Sequence, residues 1–317
     1  MHRFLGFIGL IVFFQAPCIT AQPVSHWQRY EFTHPQMGTI FRLVFFARTD
    51  SSTAAAWAKS AFNAVDSLNA SMSDYLPDSE LSQLSTHGGT GKPVVISHDL
   101  WDILKRSEKF SRMSGGAFDV TVGPLTRLWR RARNLKELPD TALVQQAKIR
   151  VDYRLLIVDP NFKVRLNMPG MRLDLGGIAQ GYAADRCLNI LRDYGVTRAM
   201  ADAGGDIALG DPPPGKKGWE IETPATPGKV MILSRCGITT SGASYRYLEA
   251  GGKRYSHIVD PRTGWGLTHR VLVTVRARDA TTADAWATAI SVLGKTGWEK
   301  IRCKPRKMQV WLTEEKW

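Results

Sequence analysis

The sequence lacks the short motifs that define several large classes of nucleotide-binding and hydrolytic enzymes. It contains no Gly-x-Ser-x-Gly segment, which excludes the nucleophile turn of the α/β-hydrolases. Residues 176–181 are rich in glycine but do not follow the GxGxxG spacing of dinucleotide-binding folds. Residues 88–92 resemble a phosphate-binding loop, but Pro93 stands where a Ser or Thr would contact magnesium. We therefore interpret residues 88–92 as a surface turn.

Cysteine is also scarce. The chain has 4 cysteines in 317 residues, and Cys187, Cys236 and Cys303 are widely spaced. This spacing excludes a disulfide framework and a CxxC metal site. A bridge between Cys236 and Cys303 stays open in an oxidising compartment, but we expect buried free thiols.

Long apolar runs are absent beyond the first residues. Residues 4–14 form an apolar run that follows a short basic start and is too short to span a bilayer comfortably. Small and polar residues come next, so we predict a signal peptide over residues 1–21 and a mature chain over residues 22–317. We expect that chain to be exported, to the periplasm or an equivalent compartment. A lipid anchor at Cys18 is the less favoured alternative, because Pro17 is a poor residue before a lipidated cysteine.

Acidic residues are in the minority. The chain has 42 Lys and Arg against 29 Asp and Glu, a net charge of +13. This balance favours anionic partners such as nucleotides, acidic proteins or a lipid surface, and peripheral membrane proximity stays open. Export makes nucleic acid a poor candidate. Residues 125–133 carry the densest basic stretch, at helical spacing; we interpret it as a solvated helix face, with a docking surface for an acidic partner as the alternative.

Periodicity of the apolar residues predicts an α+β fold rather than a regular βαβ alternation. Two strands are expected first, with a turn at Met37 and Gly38, and helices then alternate with groups of short strands. No internal repeat or low-complexity linker is present, and we expect two lobes with a soft junction near residues 139–155. The expected helices include residues 53–70, 99–113, 141–148, 178–192 and 282–293, and the expected strands include residues 27–32, 39–47, 171–175, 206–209 and 255–259.

The densest chemical signal lies at residues 172–185. An apolar run that carries Asp174 ends in Gly176 and Gly177, and a helix-patterned segment follows at once. This pattern brings backbone N–H groups, a helix N-terminus and a carboxylate to one point, which suits a phosphorylated ligand with a hard metal ion beside it.

Two further positions are candidates for chemistry. Asp284 and Thr288 are four residues apart in a helical stretch, so they share a face and offer two hard oxygens to an ion of the size of Mg²⁺. A helix cap and a back-bonded threonine are the alternatives. His257 lies where a predicted strand ends in a tight turn, and a neutral imidazole there could take a proton from a hydroxyl nucleophile. A hydrogen-bonded structural histidine is the alternative.

Eight motifs occur in the order in which they occur in the ApbE family, the FAD:protein FMN transferases, and the chain resembles that family from about residue 37 to residue 293. The motifs lie at residues 37–39, 72–82, 116–125, 174–182, 204–206, 240–242, 256–264 and 283–289.

The resemblance implies a fold related to the T-fold, with FAD held in a cleft between two lobes. It implies His257 as the general base, and it implies two sets of binding residues. Two features depart from the family pattern. Gln180 stands where the family usually has Lys or Glu, and the Arg-rich stretch after Pro124 is more basic than expected for the family, which suggests a role toward the partner. The implied flavin-nucleotide contacts are Met37, Tyr75, Ala117, Phe118, Asp119, Asp174, Gln180 and Ile258, and the implied metal ligands are Gly177, Asp284, Ala287 and Thr288.

The resemblance also implies the reaction. A Thr or Ser hydroxyl of an acceptor flavoprotein attacks the phosphorus on the FMN side of FAD, AMP leaves, and Mg²⁺ assists. The family's acceptors are flavoprotein subunits of electron-transfer complexes and secreted flavoproteins. Two alternatives use the same pocket: a periplasmic protein that binds and stores FAD, and a pyrophosphatase that hydrolyses FAD to FMN and AMP.

Overall fold

The computed structural model describes residues 26–242 and 247–315. The predicted signal peptide and Cys18 lie outside the described residues. The helices are α1 (Ser51–Met72), α2 (Glu80–Thr86), α3 (His98–Met113), α4 (Gly123–Leu135), α5 (Thr141–Lys148), α6 (Ala179–Asp193) and α7 (Ala280–Lys300). The strands are β1 (Gln28–Gln36), β2 (Thr39–Ala47), β3 (Val94–Val95), β4 (Leu156–Asp159), β5 (Lys163–Leu166), β6 (Ala199–Ala203), β7 (Asp206–Leu209), β8 (Trp219–Ile221), β9 (Met231–Leu233), β10 (Cys236–Gly242), β11 (Tyr247–Ala250), β12 (Lys253–Ser256), β13 (Arg270–Ala277) and β14 (Gln309–Glu315).

A seven-stranded antiparallel sheet organises the chain, with strand order β1-β2-β6-β7-β10-β13-β14. Helices α6 and α7 pack against it, and α1 packs on α6. Apolar side chains fill the space between them; Phe45, Val65 and Trp286 are fully buried there. Helices combined with an antiparallel sheet confirm the predicted α+β class.

Local sequence explains where the principal helices begin. Asp50 precedes α1 and accepts a hydrogen bond from the N–H of Thr53, and Asp279 precedes α7 and accepts one from the N–H of Thr282. Such caps satisfy N–H groups that have no partner within the helix. The capping residue of α7 is therefore Asp279, which leaves the carboxylate of Asp284 available for another role.

A second apolar cluster positions the segment around His257. Trp129 on α4 is fully buried, and its ring lies 5.4 Å from the ring of Tyr255 and 5.7 Å from that of Trp265, measured between centroids. Helix α5 and the β11–β12 hairpin complete this cluster. The predicted junction at residues 139–155 contains α5 and a 3₁₀ turn at Tyr153–Leu155. The division into two lobes stays a prediction.

Several predicted bounds agree with the structure. Strands β2 and β7 and helix α5 have the predicted ends, while α1 and α7 extend beyond theirs. The β1–β2 turn consists of Met37 and Gly38, with φ of 51° and 72°, as a two-residue hairpin requires.

Some predictions were wrong. Residues 171–175 do not form a strand. A single bridge pairs Arg172 with Val122, because the segment that contains Val122 enters α4 at the next residue. The strand predicted over residues 255–259 ends at Ser256, so His257 lies just beyond it.

The three cysteines in the described residues are free, so no bridge joins Cys236 and Cys303. Cys187 and Cys236 are buried as expected, but Cys303 is exposed, since it follows the end of α7 on the surface. Among the helices in the described ranges, none combines the length and apolar character needed to cross a bilayer.

Candidate active site

A buried carboxylate joins helices α6 and α7. Asp185 on α6 accepts hydrogen bonds from the N–H groups of Ala280 and Thr281, each at 2.9 Å, at the start of α7. Gly181 lies one turn earlier on α6, and a Cβ atom there would lie 2.4 Å from the carbonyl oxygen of Ala280. The helices therefore approach closely, and the residues on their facing surfaces are held together.

Three of the predicted metal ligands meet at this contact. The N–H of Gly181 donates to Oδ2 of Asp284 at 3.2 Å. A Cβ atom on Gly177 would lie 2.8 Å from Oγ1 of Thr288, so the loop before α6 lies directly against that hydroxyl. The fourth predicted ligand, Ala287, is fully buried, and its carbonyl oxygen accepts a hydrogen bond from the Ser291 hydroxyl at 2.8 Å. A metal ion would share that oxygen with Ser291.

The carboxylate of Asp284 is buried beside a second one. Burial, and then the negative charge of Asp206, raises the pKa of Asp284 well above 3.8. Burial also raises the pKa of Asp206, to about 7. Within residues 26–242 and 247–315 neither carboxylate forms an ion pair. A divalent cation fits this place, because it would supply the positive charge that the two carboxylates lack.

The chemistry of the oxygen donors also suits a hard cation. The described part of the chain holds no cluster of three or more His, Cys, Asp or Glu side chains suited to a metal ion. The predicted ligands are instead one carboxylate, one hydroxyl and backbone carbonyl groups. Mg²⁺ commonly combines one or two carboxylates with water and substrate phosphate oxygens, so a complete protein cage is not required.

A side-chain hydrogen bond connects the β1–β2 turn to the start of α6. Nε2 of Gln180 donates to the carbonyl oxygen of Met37 at 3.2 Å. Met37 and Gln180, both predicted to bind the nucleotide, are thus hydrogen-bonded to each other. The side-chain amide of Gln180 thus donates to a backbone carbonyl. A Glu side chain at this position could not donate this bond, and a Lys side chain would offer an ammonium group instead of a planar amide.

The segments around Asp119 and Asp174 are neighbours. The N–H of Asp174 donates to the carbonyl oxygen of Val120 at 2.8 Å, and Oδ1 of Asp174 accepts from the N–H of Gly176 at 2.8 Å. Ala117 and Phe118 are 1% and 3% exposed, so both residues are almost completely buried.

The carboxylate of Asp119 is buried and accepts hydrogen bonds from Thr121 and from the N–H of Tyr153. Burial raises its pKa from 3.8 to about 6. Because the folded state holds the proton more tightly than the unfolded state, this group's stabilising contribution is complete below about pH 4 and is lost as pH rises through about 6. Asp119→Asn should abolish that loss.

The expected difference is measurable by chemical unfolding. Relative to Asp119→Asn, the wild type should lose about 3 kcal/mol of unfolding free energy between about pH 3 and pH 7. The lost bond from Tyr153 lowers the variant's stability equally at every pH. Parallel stability profiles for the two proteins would contradict a raised pKa at Asp119.

Arg130 contacts two of the predicted nucleotide-binding residues, which the sequence pattern did not indicate, because its basic stretch was interpreted as a solvated helix face. Its guanidinium donates to the carboxylates of Asp74 and Asp174 and lies 4.1 Å from the centroid of the Tyr75 ring. Its partners are 56 and 44 residues away in the chain, so local periodicity carried no signal for it. Arg130 links Tyr75, which is 69% exposed, to the Asp174 segment.

The loop that carries His257 is tightly folded. Ser256 accepts a hydrogen bond from the N–H of Ile258 at 3.0 Å, and Leu267 donates to the Ile258 carbonyl at 3.0 Å. His257 itself is half-buried. The indole N–H of Trp129 donates to the Gly264 carbonyl at 2.9 Å and attaches the loop to α4. The hydrogen bonds of the Ile258 backbone stay within this loop and do not join it to the other predicted contacts.

Trp129→Phe tests whether the Trp129 hydrogen bond positions the His257 loop for turnover, in addition to stabilising the fold. The variant keeps an aromatic ring in the core but leaves the Gly264 carbonyl without its donor, which should lower the unfolding free energy by about 1–3 kcal/mol. Displacement of the loop should also lower turnover by at least about tenfold, because small errors in position strongly slow reactions.

Trp101→Phe provides a matched control. The Trp101 indole N–H donates to the Asp159 carbonyl at 2.8 Å, away from the His257 loop. This variant should show a comparable loss of stability with turnover close to the wild type. Equal turnover in both variants would show that the Trp129 bond does not position the loop.

Two cavities contain none of the predicted nucleotide contacts or metal ligands. One, of about 510 Å³, is lined by residues of α6, including Asp185 and Asn189, by β7, by Arg106 on α3 and by Arg235 just before β10. The other, of about 340 Å³, lies between β1 and α1. Neither cavity is lined by Gly177, Asp284 or Thr288.

Comparisons with known proteins identify relatives of this chain. The sequence model of the ApbE family matches residues 37–312. A FAD:protein FMN transferase of Treponema pallidum is 32% identical over 279 residues, covering 81% of this chain and 77% of the relative. A FAD:protein FMN transferase of Haemophilus influenzae is 32% identical over 243 residues, covering 72% and 70%.

Solved structures show the same fold. The flavin transferase ApbE from Vibrio cholerae, in a histidine-to-glycine variant, superposes with a TM-score of 0.77 at 27% identity, covering 91% of this chain and 97% of that one. The ApbE protein from Thermotoga maritima gives a TM-score of 0.77 at 30% identity, covering 86% and 90%. Fold and relatives define this chain as a transferase enzyme. It belongs to the ApbE family.

Proposed function

We propose that this protein transfers the FMN part of FAD to a Thr or Ser hydroxyl of an acceptor flavoprotein and releases AMP. The observation that carries the proposal is the meeting of Gly177, Asp284 and Thr288 beside the Asp174 segment. Oxygen donors for a hard cation and a nucleotide-binding turn belong together in an enzyme that breaks a pyrophosphate.

The proposed reaction is a substitution at phosphorus. The acceptor oxygen forms a bond to the phosphorus on the FMN side, the bond from that phosphorus to the bridging oxygen breaks, and AMP leaves with that oxygen. His257 accepts the hydroxyl proton, because a neutral hydroxyl is a poor nucleophile near neutral pH.

Four oxygens of this chain would hold the metal: the carboxylate of Asp284, the hydroxyl of Thr288 and the carbonyl groups of Gly177 and Ala287. Bound Mg²⁺ supplies positive charge that offsets the charge of the pyrophosphate and of the leaving AMP. Asp174 and Asp119, with the neighbouring residues Ala117 and Phe118, would orient the nucleotide. Met37, Tyr75, Gln180 and Ile258 would complete its contacts.

The proposed setting is outside the cytoplasm. Removal of residues 1–21 would release an exported chain whose acceptors are flavoprotein subunits of electron-transfer complexes or secreted flavoproteins. The basic balance of the sequence supports proximity to an anionic membrane surface or an acidic partner.

One incubation separates the proposed transfer from the two alternatives. The purified protein is mixed with FAD, Mg²⁺ and a candidate acceptor flavoprotein, and the products are resolved by mass spectrometry and by in-gel flavin fluorescence. Covalent flavin on the acceptor together with AMP supports transfer. Free FMN with AMP would indicate a pyrophosphatase, and unchanged FAD bound to the protein would indicate storage.

A further inference from the structure

Arg130 makes two ion pairs and one ring contact at the same time. Its Nη2 donates to Oδ2 of Asp174 at 2.7 Å, and its Nη1 donates to Oδ2 of Asp74. Its guanidinium also lies over the ring of Tyr75. Three separate stretches of the chain, the loop after α1, helix α4 and the loop before α6, are therefore joined through one side chain.

Two poorly exposed carboxylates, those of Asp74 and Asp174, need a positive charge beside them. The side chains of Asp174 and Asp74 are 8% and 20% exposed, and they share the guanidinium of Arg130 as ion-pair partner. Burial, and then the charge of Asp174, raises the pKa of Asp74. Without Arg130 two carboxylates would face the negative charge of a nucleotide, and their repulsion would weaken its binding.

Arginine is suited to all three contacts in a way that lysine is not. A guanidinium is a planar fork that can donate to two carboxylates while its flat face rests on an aromatic ring. Tyr75 keeps 69% of its surface exposed although Arg130 lies on its ring. The ring is thus oriented by the protein and still accessible, and an oriented contact surface binds a planar ligand at lower entropic cost.

We propose that Arg130 is a positioning residue of the flavin-nucleotide site, which orients Asp174 and Tyr75 for FAD. The inference rests on the proposed function, because it assumes that these residues contact FAD. Arg130 acts through its neighbours, so its removal should weaken nucleotide binding more than it slows the chemical step.

The test compares four proteins: wild type, Arg130→Ala, Arg130→Lys and the control Arg131→Ala. Arg131 is the next residue on α4 and is exposed. FAD is titrated in the presence of Mg²⁺ and binding is followed by flavin fluorescence, with circular dichroism and thermal melting to check folding. Steady-state transfer then gives KM for FAD and kcat separately.

Arg130→Ala should raise the Kd for FAD by about 10- to 100-fold, which corresponds to loss of a charge-assisted hydrogen bond. KM for FAD should rise with it, while kcat at saturating FAD should fall by less than about threefold. Arg130→Lys should lie between wild type and Arg130→Ala, because it keeps the charge without the fork. Arg131→Ala should bind FAD within about twofold of the wild type, as expected for an exposed charge.

A double-mutant cycle then tests whether Arg130 influences FAD binding through Tyr75. If Arg130 orients that ring, the effect of Arg130→Ala on Kd should shrink in a Tyr75→Leu background, since contacting residues are not additive. Full additivity would overturn the part of the proposal that concerns Tyr75.

The outcomes distinguish this inference from the proposed function. If the wild type does not bind FAD, the proposed function fails and this inference fails with it. If the wild type binds FAD and the folded Arg130 variants bind equally well, the inference alone is overturned. Should Arg130→Ala not fold, Arg130→Lys decides the question, and a Kd equal to that of the wild type counts against the proposal.

Discussion

Replacing Asp284 with Ala should lower FMN transfer by roughly 10³-fold or more, because the loss of a bound divalent cation removes several kcal/mol of transition-state stabilisation. Asp284 is the one carboxylate among the proposed metal ligands, and it lies at the contact of α6 with α7. Rates should be measured in single turnover with saturating FAD and acceptor, across a range of Mg²⁺ concentrations.

Asp284→Asn separates metal binding from packing. The amide keeps the shape of the side chain and an oxygen to accept the Gly181 N–H, but it carries no charge. Without metal, this variant should be as stable as the wild type or more stable near pH 7, because it removes a buried carboxylate beside Asp206. Added Mg²⁺ should raise the melting temperature of the wild type and not that of the variant.

Asp193→Ala is the matched control, since Asp193 is an exposed carboxylate at the end of α6. It should transfer FMN at the wild-type rate and keep its response to Mg²⁺. Undiminished transfer by Asp284→Ala would refute the metal assignment.

Much of the architecture was accessible from sequence because local chemistry decides it. Helix α5 begins after Asp140, whose carboxylate accepts a hydrogen bond from the N–H of Ala142. Strand β2 begins after the Met37–Gly38 turn. Caps and tight turns involve only a few consecutive residues, so they can be recognised from the sequence alone. Where pairing depends on distant segments, as at residues 171–175, periodicity alone predicted a strand that the structure does not form.

The candidate site was predictable for a different reason, and only in part. Asp284 and Thr288 share a helical face, which spacing reveals, but their contact with the loop at Gly177 depends on the packing of α6 on α7. The closeness of Asp206 to Asp284, and of Arg130 to Asp174, arises from tertiary structure. Resemblance to a family supplied the list of candidate contacts and marked the Arg-rich stretch as unusual, but the contacts of Arg130 with Asp174 and Tyr75 are seen only in three dimensions.

Replacing His257 with Ala should slow FMN transfer by about 10²–10⁴-fold, the usual contribution of a positioned general base, while FAD binding stays close to that of the wild type. The half-buried His257 lies just beyond β12 on a loop that Trp129 attaches to α4. A base in this position would act on the acceptor hydroxyl and not on the nucleotide. The rate should therefore be measured in single turnover, with FAD affinity determined separately.

Two further measurements distinguish a base from a structural histidine. Added imidazole should restore part of the rate of His257→Ala, since a small base can enter the space left by the ring, whereas it cannot repair a displaced loop. His87→Ala, which removes an exposed histidine after α2, should leave transfer and FAD binding unchanged. If His257→Ala transfers FMN within about threefold of the wild type, proton removal by His257 does not limit the reaction and another group, or the acceptor itself, must take the proton.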